Sequence, residues 1–256
     1  MQSLSTSALA FVLARGPSAQ DSLSCHGPRR ACMASRMNER DARAAIVDAA
    51  REMERLGLNH GSAGNLSLRV GEAVLVTPSG VPSRELSPGL IARLPLAGEG
   101  AFEGPLPPSS EWRFHLDIYR ARPDVNAIAH MHSPYATTIA TLRRDIPAVH
   151  YMIAAFGGPT VRCVDYAPYG TAELSRLVVA GLTDRDGVLL ANHGAIVTGA
   201  NMRRALWRAV ELEALAQVFY LGALAGEPVV LSDDEIMRTV ERFKNYGTRE
   251  SSKELS

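Results

Sequence analysis

Two histidines stand close together in the segment Ala129-His-Met-His132. In a strand, the two-residue period puts both imidazoles on one face with Cα atoms about 6–7 Å apart, a spacing from which the rings can converge on one ion. A third, His193, closes the apolar run Val188-Leu-Leu-Ala-Asn and directly precedes Gly194. Ligands of open α/β sheets gather at strand ends. Three imidazoles there would form a centre of the catalytic kind, with a fourth position for water, substrate or a carboxylate. Ordinary polar strand residues have the same spacing, so spacing alone leaves both readings open.

Three small-residue motifs suit an anion: Gly61-Ser-Ala-Gly-Asn65, Thr77-Pro-Ser79-Gly80 and Ser109-Ser110. Their backbone N–H groups and hydroxyls can approach a phosphate without steric cost. Each is also an ordinary turn sequence. Ser109-Ser110 is the best placed, because a helix follows it and helix N-termini leave unpaired donors that bind anions. Glu111 opens that helix, where a carboxylate complements the helix dipole. If the serines hold a phosphate, Glu111 would also lie beside the substrate. His115, one turn on, reads as structural or supporting, as do His60 and His150; Trp112, Trp207 and most methionines read as packing. No Walker signature or Gly-x-Gly-x-x-Gly fingerprint supports a nucleotide cofactor. The only lysines are Lys244 and Lys253, so the central region has no amine for an imine mechanism.

The chain that must position these groups has 256 residues, 46% of them hydrophobic and 21% charged, which suits one large domain and excludes general disorder. Basic and acidic side chains balance at 27 each, so no overall cationic field draws nucleic acid or anionic lipid. Three cysteines are too few to staple such a chain, and the apolar stretches are too short or too interrupted to span a membrane. A cytoplasmic protein is the expectation. Residues 1–36, rich in Ser, Ala, Gly, Pro and Arg, read as a disordered extension, with Met37 a sensible start.

Helical spacing of apolar residues predicts helices over residues 39–56 (stopped by Gly57), 111–120, 135–141, 174–181, 201–224 and 233–243. Strands are expected over 65–70 and 73–77, joined through Gly71, and over 127–132, 152–155, 161–164 and 187–191. Helices and strands interleave without a fixed repeat, which indicates a helix-flanked sheet. The early hairpin indicates a mixed one.

Taken in order, several motifs resemble the class II aldolase and adducin family. They are Gly57-Leu-Asn-His-Gly-Ser-Ala-Gly-Asn-Leu-Ser67, Leu75-Val-Thr-Pro-Ser-Gly80, Pro108-Ser-Ser-Glu-Trp-Arg-Phe-His115, the His130-Met-His132 pair, Ile146-Pro-Ala-Val-His-Tyr-Met-Ile-Ala-Ala155 and Asn192-His-Gly194. Leu231-Ser-Asp-Asp-Glu235 and Phe243-Lys-Asn-Tyr-Gly247 continue the likeness, which leaves the N-terminal extension outside. The resemblance implies a three-layer α/β/α sandwich over 37–248 with a central mixed, mainly antiparallel sheet, followed by a polar tail over 249–256. It implies zinc on His130, His132 and His193, with Glu111 a carboxylate that can sit on the metal and act as base. It places Asn65, Ser79, Gly80, Ser109 and Ser110 in a phosphate pocket. Tyr151 would come from a neighbouring subunit of a homotetramer with shared active sites, and Tyr246 would close over the substrate.

The activity so implied is reversible cleavage of a phosphorylated sugar, a ketose 1-phosphate of the L-fuculose 1-phosphate type, into dihydroxyacetone phosphate and an aldehyde. Ser133-Pro-Tyr135 and Asn192 depart from the family's usual residues and bear on sugar specificity. Aldolases of 5-deoxyribulose or 5-methylthioribulose 1-phosphate are similar at every residue named. Pentulose 5-phosphate 4-epimerases share the histidines but typically carry Asp where Glu111 stands. A non-catalytic adducin-like module would be expected to lose the histidines.

Overall fold

The first helix, α1 (Glu39–Arg55), begins where the Asn38 side chain accepts a hydrogen bond from Asp41 N at 2.9 Å and buries Ala42, Ile46, Ala49 and Met53 along one stripe. Leu56 caps its end and Gly57 follows at φ 71°, so the glycine lies one position beyond the cap. The computed structural model describes residues 37–244. The expected extension (1–36), the polar tail (249–256) and Tyr246 therefore lie outside the described residues.

Strands β1 (Asn65–Val70) and β2 (Ala73–Val76) form the hairpin expected around Gly71, whose φ of 60° suits a tight turn. The remaining strands are β3 (Ala92–Pro95), β4 (Ala127–Met131), β5 (Arg162–Val164), β6 (Gly187–Leu190) and β7 (Gly194–Gly199). They form one sheet in the order β3-β2-β1-β4-β7-β6-β5. The β5–β6 pair is parallel and all the other pairs are antiparallel, so the sheet is mixed and mainly antiparallel.

Helices cover both faces. The helices α2 (Trp112–Ala121) and α4 (Ala172–Gly181) pack on one side, while α1, α3 (Pro134–Thr141), α5 (Met202–Ala225) and α6 (Asp233–Lys244) pack on the other. Strand alternation sorts the core accordingly. Ala127, Ala129 and Met131 of β4 face the α1/α3/α5 side, and Ile128 faces α2 and α4. By the same parity His130 faces the α2 layer, where its ring lies edge-on to Phe114 at 5.5 Å. Ala205, Leu212, Ala216 and Phe219 of α5 are buried, as their spacing requires. No helix among the described residues is long and apolar enough to cross a membrane.

Two expectations need correction. Residues 152–155 are not a strand but part of a 3₁₀ helix, Tyr151–Phe156. The His150 side chain accepts from Met152 N at 3.3 Å, Gly157 closes the turn at φ 86°, and Ile153 to Phe156 are buried without a strand partner. A four-residue apolar run does not by itself distinguish a strand from a buried helical turn. Strands β3 and β7 were not expected at all. The first is four residues of mixed polarity, and the second is bracketed by Gly194 and Gly199, which blur a strand pattern.

Candidate active site

The site lies where β1, β4 and the β6–β7 turn meet the start of α2. His130 occupies the penultimate position of β4 and is fully buried. Its Nδ1 lies 3.0 Å from Ala195 O; a carbonyl only accepts, so Nδ1 carries the proton and Nε2 faces the site. His132 follows just past the strand end, and its Nε2 lies 2.9 Å from that of His130. Its backbone is held from both sides. Asn59 Oδ1 accepts from His132 N at 2.9 Å, and Glu213 of α5 accepts from Ser133 Oγ, Tyr135 N and Ala136 N at the start of α3.

His193 sits in the tight β6–β7 turn, after Asn192 at φ 55° and before Gly194. A Cβ at Gly194 would collide with Met131 O and come within 2.8 Å of the His132 ring, so the turn requires glycine to bring His193 in. The three ring centroids are 4.7, 4.9 and 5.0 Å apart, and one nitrogen from each lies within 4.8 Å of the others.

Glu111 is buried beside them. Its Oε2 lies 3.1 Å from His130 Nε2 and accepts from Asn65 Nδ2 at 2.9 Å, while its Oε1 lies 3.3 Å from His193 Nε2 and accepts no hydrogen bond. Burial opposes ionisation of this carboxyl. His130, then His193 and the Asn65 amide, outweigh that penalty and hold it down at about 2. Burial, then the neighbouring His130, lowers His132 and His193 to about 4, so both are neutral near pH 7. Three imidazoles at the end of β4 and in the β6–β7 turn, with a carboxylate oxygen beside them that accepts no hydrogen bond, fit a divalent cation of the zinc type.

A cavity of about 350 Å³ opens onto this cluster and is lined by Asn65, Ser79, Gly80, Ser109, Ser110, Glu111, His132 and His193. The small-residue loops expected to suit an anion thus meet in one place. Backbone bonds join them: Ser79 N donates to Pro107 O at 3.1 Å and Ser109 N to Thr77 O at 2.9 Å. Gly80 is held at φ 71°. Asn65 reaches the cavity because it pairs with His130 across the β1–β4 ladder.

Tyr151 does not line this cavity. It is 52% exposed and borders a separate hollow with Glu235, Thr239, Arg242 and Phe243. Sequence reasoning missed Tyr166 and Tyr169, which line the cavity from the loop after β5. Gly170 holds that loop close, since a Cβ there would come within 2.8 Å of Ser110 O. Two tyrosines on either side of Ala-Pro beside a glycine are the signal that could have marked this loop.

Residues 44–220 match the family described as Class II Aldolase and Adducin N-terminal domain. The chain belongs to the class II aldolase and adducin family. A 5-methylthioribulose-1-phosphate/5-deoxyribulose-1-phosphate aldolase of Rhodospirillum rubrum is 48% identical over 205 residues, which is 80% of this chain and 92% of that protein. An L-fuculose phosphate aldolase of Escherichia coli K12 is 46% identical over 205 residues, 80% of this chain and 94% of that protein. A solved L-fuculose 1-phosphate aldolase superposes with a TM-score of 0.78 at 38% identity, covering 82% of this chain and 99% of that one. Family, fold and histidine cluster together support a class II aldolase-type reaction.

The same geometry sets a pH dependence for the metal-free protein. His115, His132 and His193 have folded values of about 3, 4 and 4, below their ordinary 6.5, so the unfolded chain binds more protons as pH falls from 6.5 toward 4. Stability is full above that window and drains away within it. Glu111, lowered from 4.5 to about 2, adds a further loss below 4.5. The melting temperature of chelator-treated protein is therefore expected to drop by several degrees between pH 6.5 and pH 4. Bound metal should delay the drop until protons displace it. A melting temperature that holds or rises on acidification of the metal-free protein would contradict this account.

Proposed function

We propose that the protein is a zinc-dependent aldolase that reversibly cleaves a ketose 1-phosphate of the L-fuculose 1-phosphate type into dihydroxyacetone phosphate and an aldehyde. One observation carries this reading: three imidazoles and a buried carboxylate with an unpaired oxygen meet beside a cavity lined by three small-residue loops. His130, His132 and His193 would hold the ion, with Glu111 able to join them. When bound, the ion supplies Lewis-acid stabilisation of the negative charge that develops on the substrate oxygens.

The chain's own residues do the rest. Ser79, Gly80, Ser109 and Ser110 take the phosphate. Asn65 supports them with one amide hydrogen, because its other is donated to Glu111 while its oxygen accepts from His115 Nε2. In the synthetic direction Glu111, ionised at working pH, removes a proton from C3 of dihydroxyacetone phosphate, and C3 then attacks the aldehyde carbon. Tyr151 of a neighbouring subunit gives its proton to the aldehyde oxygen. In cleavage both transfers reverse. Tyr246 closes over the substrate, and residues 37–248 form the catalytic domain between an extension and a short tail.

A homotetramer with shared sites explains why Tyr151 is exposed and distant from the pocket of its own chain. The exposed apolar residues Val210, Val218, Leu221 and Leu224 along α5 are consistent with assembly. A cytoplasmic location suits a chain acting on phosphorylated sugars.

A second reading, cleavage of 5-deoxyribulose or 5-methylthioribulose 1-phosphate, rests on the relative so named, whose identity of 48% is as high as that of the fuculose phosphate aldolases. Product identification separates the two. Cleavage between C3 and C4 releases lactaldehyde from L-fuculose 1-phosphate, acetaldehyde from the deoxypentulose and methylthioacetaldehyde from the methylthio sugar. The highest kcat/KM is expected for the fuculose substrate. A clear preference for either pentulose overturns the assignment in favour of the second reading, and epimerisation of a pentulose 5-phosphate without release of any aldehyde overturns both.

A further inference from the structure

His115 lies outside the roles assigned above, yet it is fully buried and hydrogen-bonded at both nitrogens. It belongs to a line of polar side chains between α2 and β1. Glu111, His115 and Tyr119 recur every four residues around the start and face of α2, while Asn65 and Ser67 recur every second residue on β1. Four helical residues rise about 6 Å and two strand residues about 6.7 Å. The two sets therefore interdigitate. Tyr119 Oη lies 2.8 Å from Ser67 Oγ, which lies 2.7 Å from His115 Nδ1. His115 Nε2 lies 2.5 Å from Asn65 Oδ1, and Asn65 Nδ2 lies 2.9 Å from Glu111 Oε2.

Between Ser67 and Glu111 each hydrogen of this line has one place. The Glu111 carboxylate only accepts, so Asn65 must turn its NH₂ toward it and its oxygen toward His115. That oxygen only accepts in turn, so His115 Nε2 carries the proton. The ring is fully buried with no carboxylate in contact, and as a neutral ring it keeps Nδ1 bare to accept from the Ser67 hydroxyl. With its only hydrogen spent, Ser67 can only accept from Tyr119 Oη, which also lies 3.5 Å from Asn126 O. From Ser67 inward, all donors point toward Glu111. The opposite His115 tautomer would invite the Asn65 amide to flip, setting its carbonyl oxygen against the Glu111 carboxylate.

We propose that His115 is a positioning residue that, with Ser67 donating to its bare Nδ1, presents Nε2–H to the Asn65 oxygen and so locks the Asn65 amide, and through it the Glu111 carboxylate, in the orientation that takes a proton from substrate. This rests on the reading of Glu111 as the base. The experiment follows exchange of the C3 hydrogens of dihydroxyacetone phosphate in deuterated water by NMR, with no aldehyde present, in the zinc-loaded protein. His115→Leu is expected to slow exchange about 10- to 100-fold without changing zinc content. His115→Gln keeps an N–H at the reach of Nε2 and should recover most of the rate. His115→Asn, too short to reach Asn65, should not.

Should the leucine variant fail to fold, Ser67→Ala removes only the hydroxyl that donates to Nδ1 and should also slow exchange. Nitrogen-15 NMR of the wild type should show His115 protonated at Nε2 and bare at Nδ1. The proposal is overturned by an Nδ1–H or doubly protonated ring, by exchange within twofold of wild type in both His115→Leu and Ser67→Ala, or by equal recovery in the Asn and Gln variants. A dead Glu111→Gln beside an unaffected His115→Leu overturns the positioning role alone. Wild-type exchange in Glu111→Gln removes the base reading and takes this proposal with it.

Discussion

Protein carrying His132→Ala is expected to emerge from chelator-free purification without its metal and to lose turnover by about 10³-fold or more, while keeping its fold. The size follows from the Lewis-acid contribution of several kcal/mol that departs with the ion, at about 1.4 kcal/mol per factor of ten. His132 is the right ligand to remove. His130 is fully buried in β4 and anchored through Nδ1 to Ala195 O, so truncating it opens a cavity in the sheet and confounds loss of metal with loss of stability. His132 lies beyond the strand end, partly exposed, and its backbone is fixed by Asn59 and the Glu213-anchored start of α3. Elemental analysis of the purified variant, beside a circular dichroism melt, checks the result. Stoichiometric zinc with wild-type turnover in His132→Ala would remove the three-histidine centre from the mechanism.

The histidine pair was legible because strand period is a local property: a two-residue spacing across the end of β4 is enough to put both rings on one side. His193 was legible as the end of an apolar run, but its true setting was not. It occupies a tight antiparallel turn, and the strand that follows it, β7, hides behind its bracketing glycines. The small-residue loops were readable one by one as turns suited to an anion. Their meeting in one cavity depends on the β1–β4 register and on bonds such as Ser109 N to Thr77 O, which join residues far apart in sequence.

His115 shows the same boundary more sharply. Its place one turn beyond Glu111 marks it as a supporting residue. Which atoms it joins depends on β1 lying against α2, a tertiary fact with no local signal. The 3₁₀ helix at Tyr151–Phe156 failed for the opposite reason, since its apolar run fits two local structures equally and only the absence of a strand partner decides.

Tyr151→Phe is expected to cut aldol turnover by about 10²- to 10⁴-fold, the usual contribution of a positioned acid, and to leave zinc content and phosphate affinity unchanged. Within one chain nothing explains such a loss: the phenol is half exposed and borders a hollow beside α6, away from the cavity that holds Glu111. The loss makes sense only if the hydroxyl serves the cavity of another copy. That requirement can be tested without a structure of the assembly. Tyr151→Phe and Glu111→Gln are each inactive alone, the first for want of the acid and the second for want of the base. Dissociated, mixed in equal amounts and reassociated, they form hybrids in which about a quarter of the sites pair an intact Glu111 from one chain with an intact Tyr151 from the other, if closed symmetry distributes the chains at random. Activity should rise from near zero toward that fraction of wild type and should depend on mixing before reassociation. Hybrids whose composition is verified by native mass spectrometry, yet which stay inactive, would place Glu111 and Tyr151 in the service of one chain or remove Tyr151 from the reaction. Recovery to that same fraction on mixing without dissociation would instead mean that the subunits exchange freely, and the shared site would still stand, because neither parent alone can supply both groups.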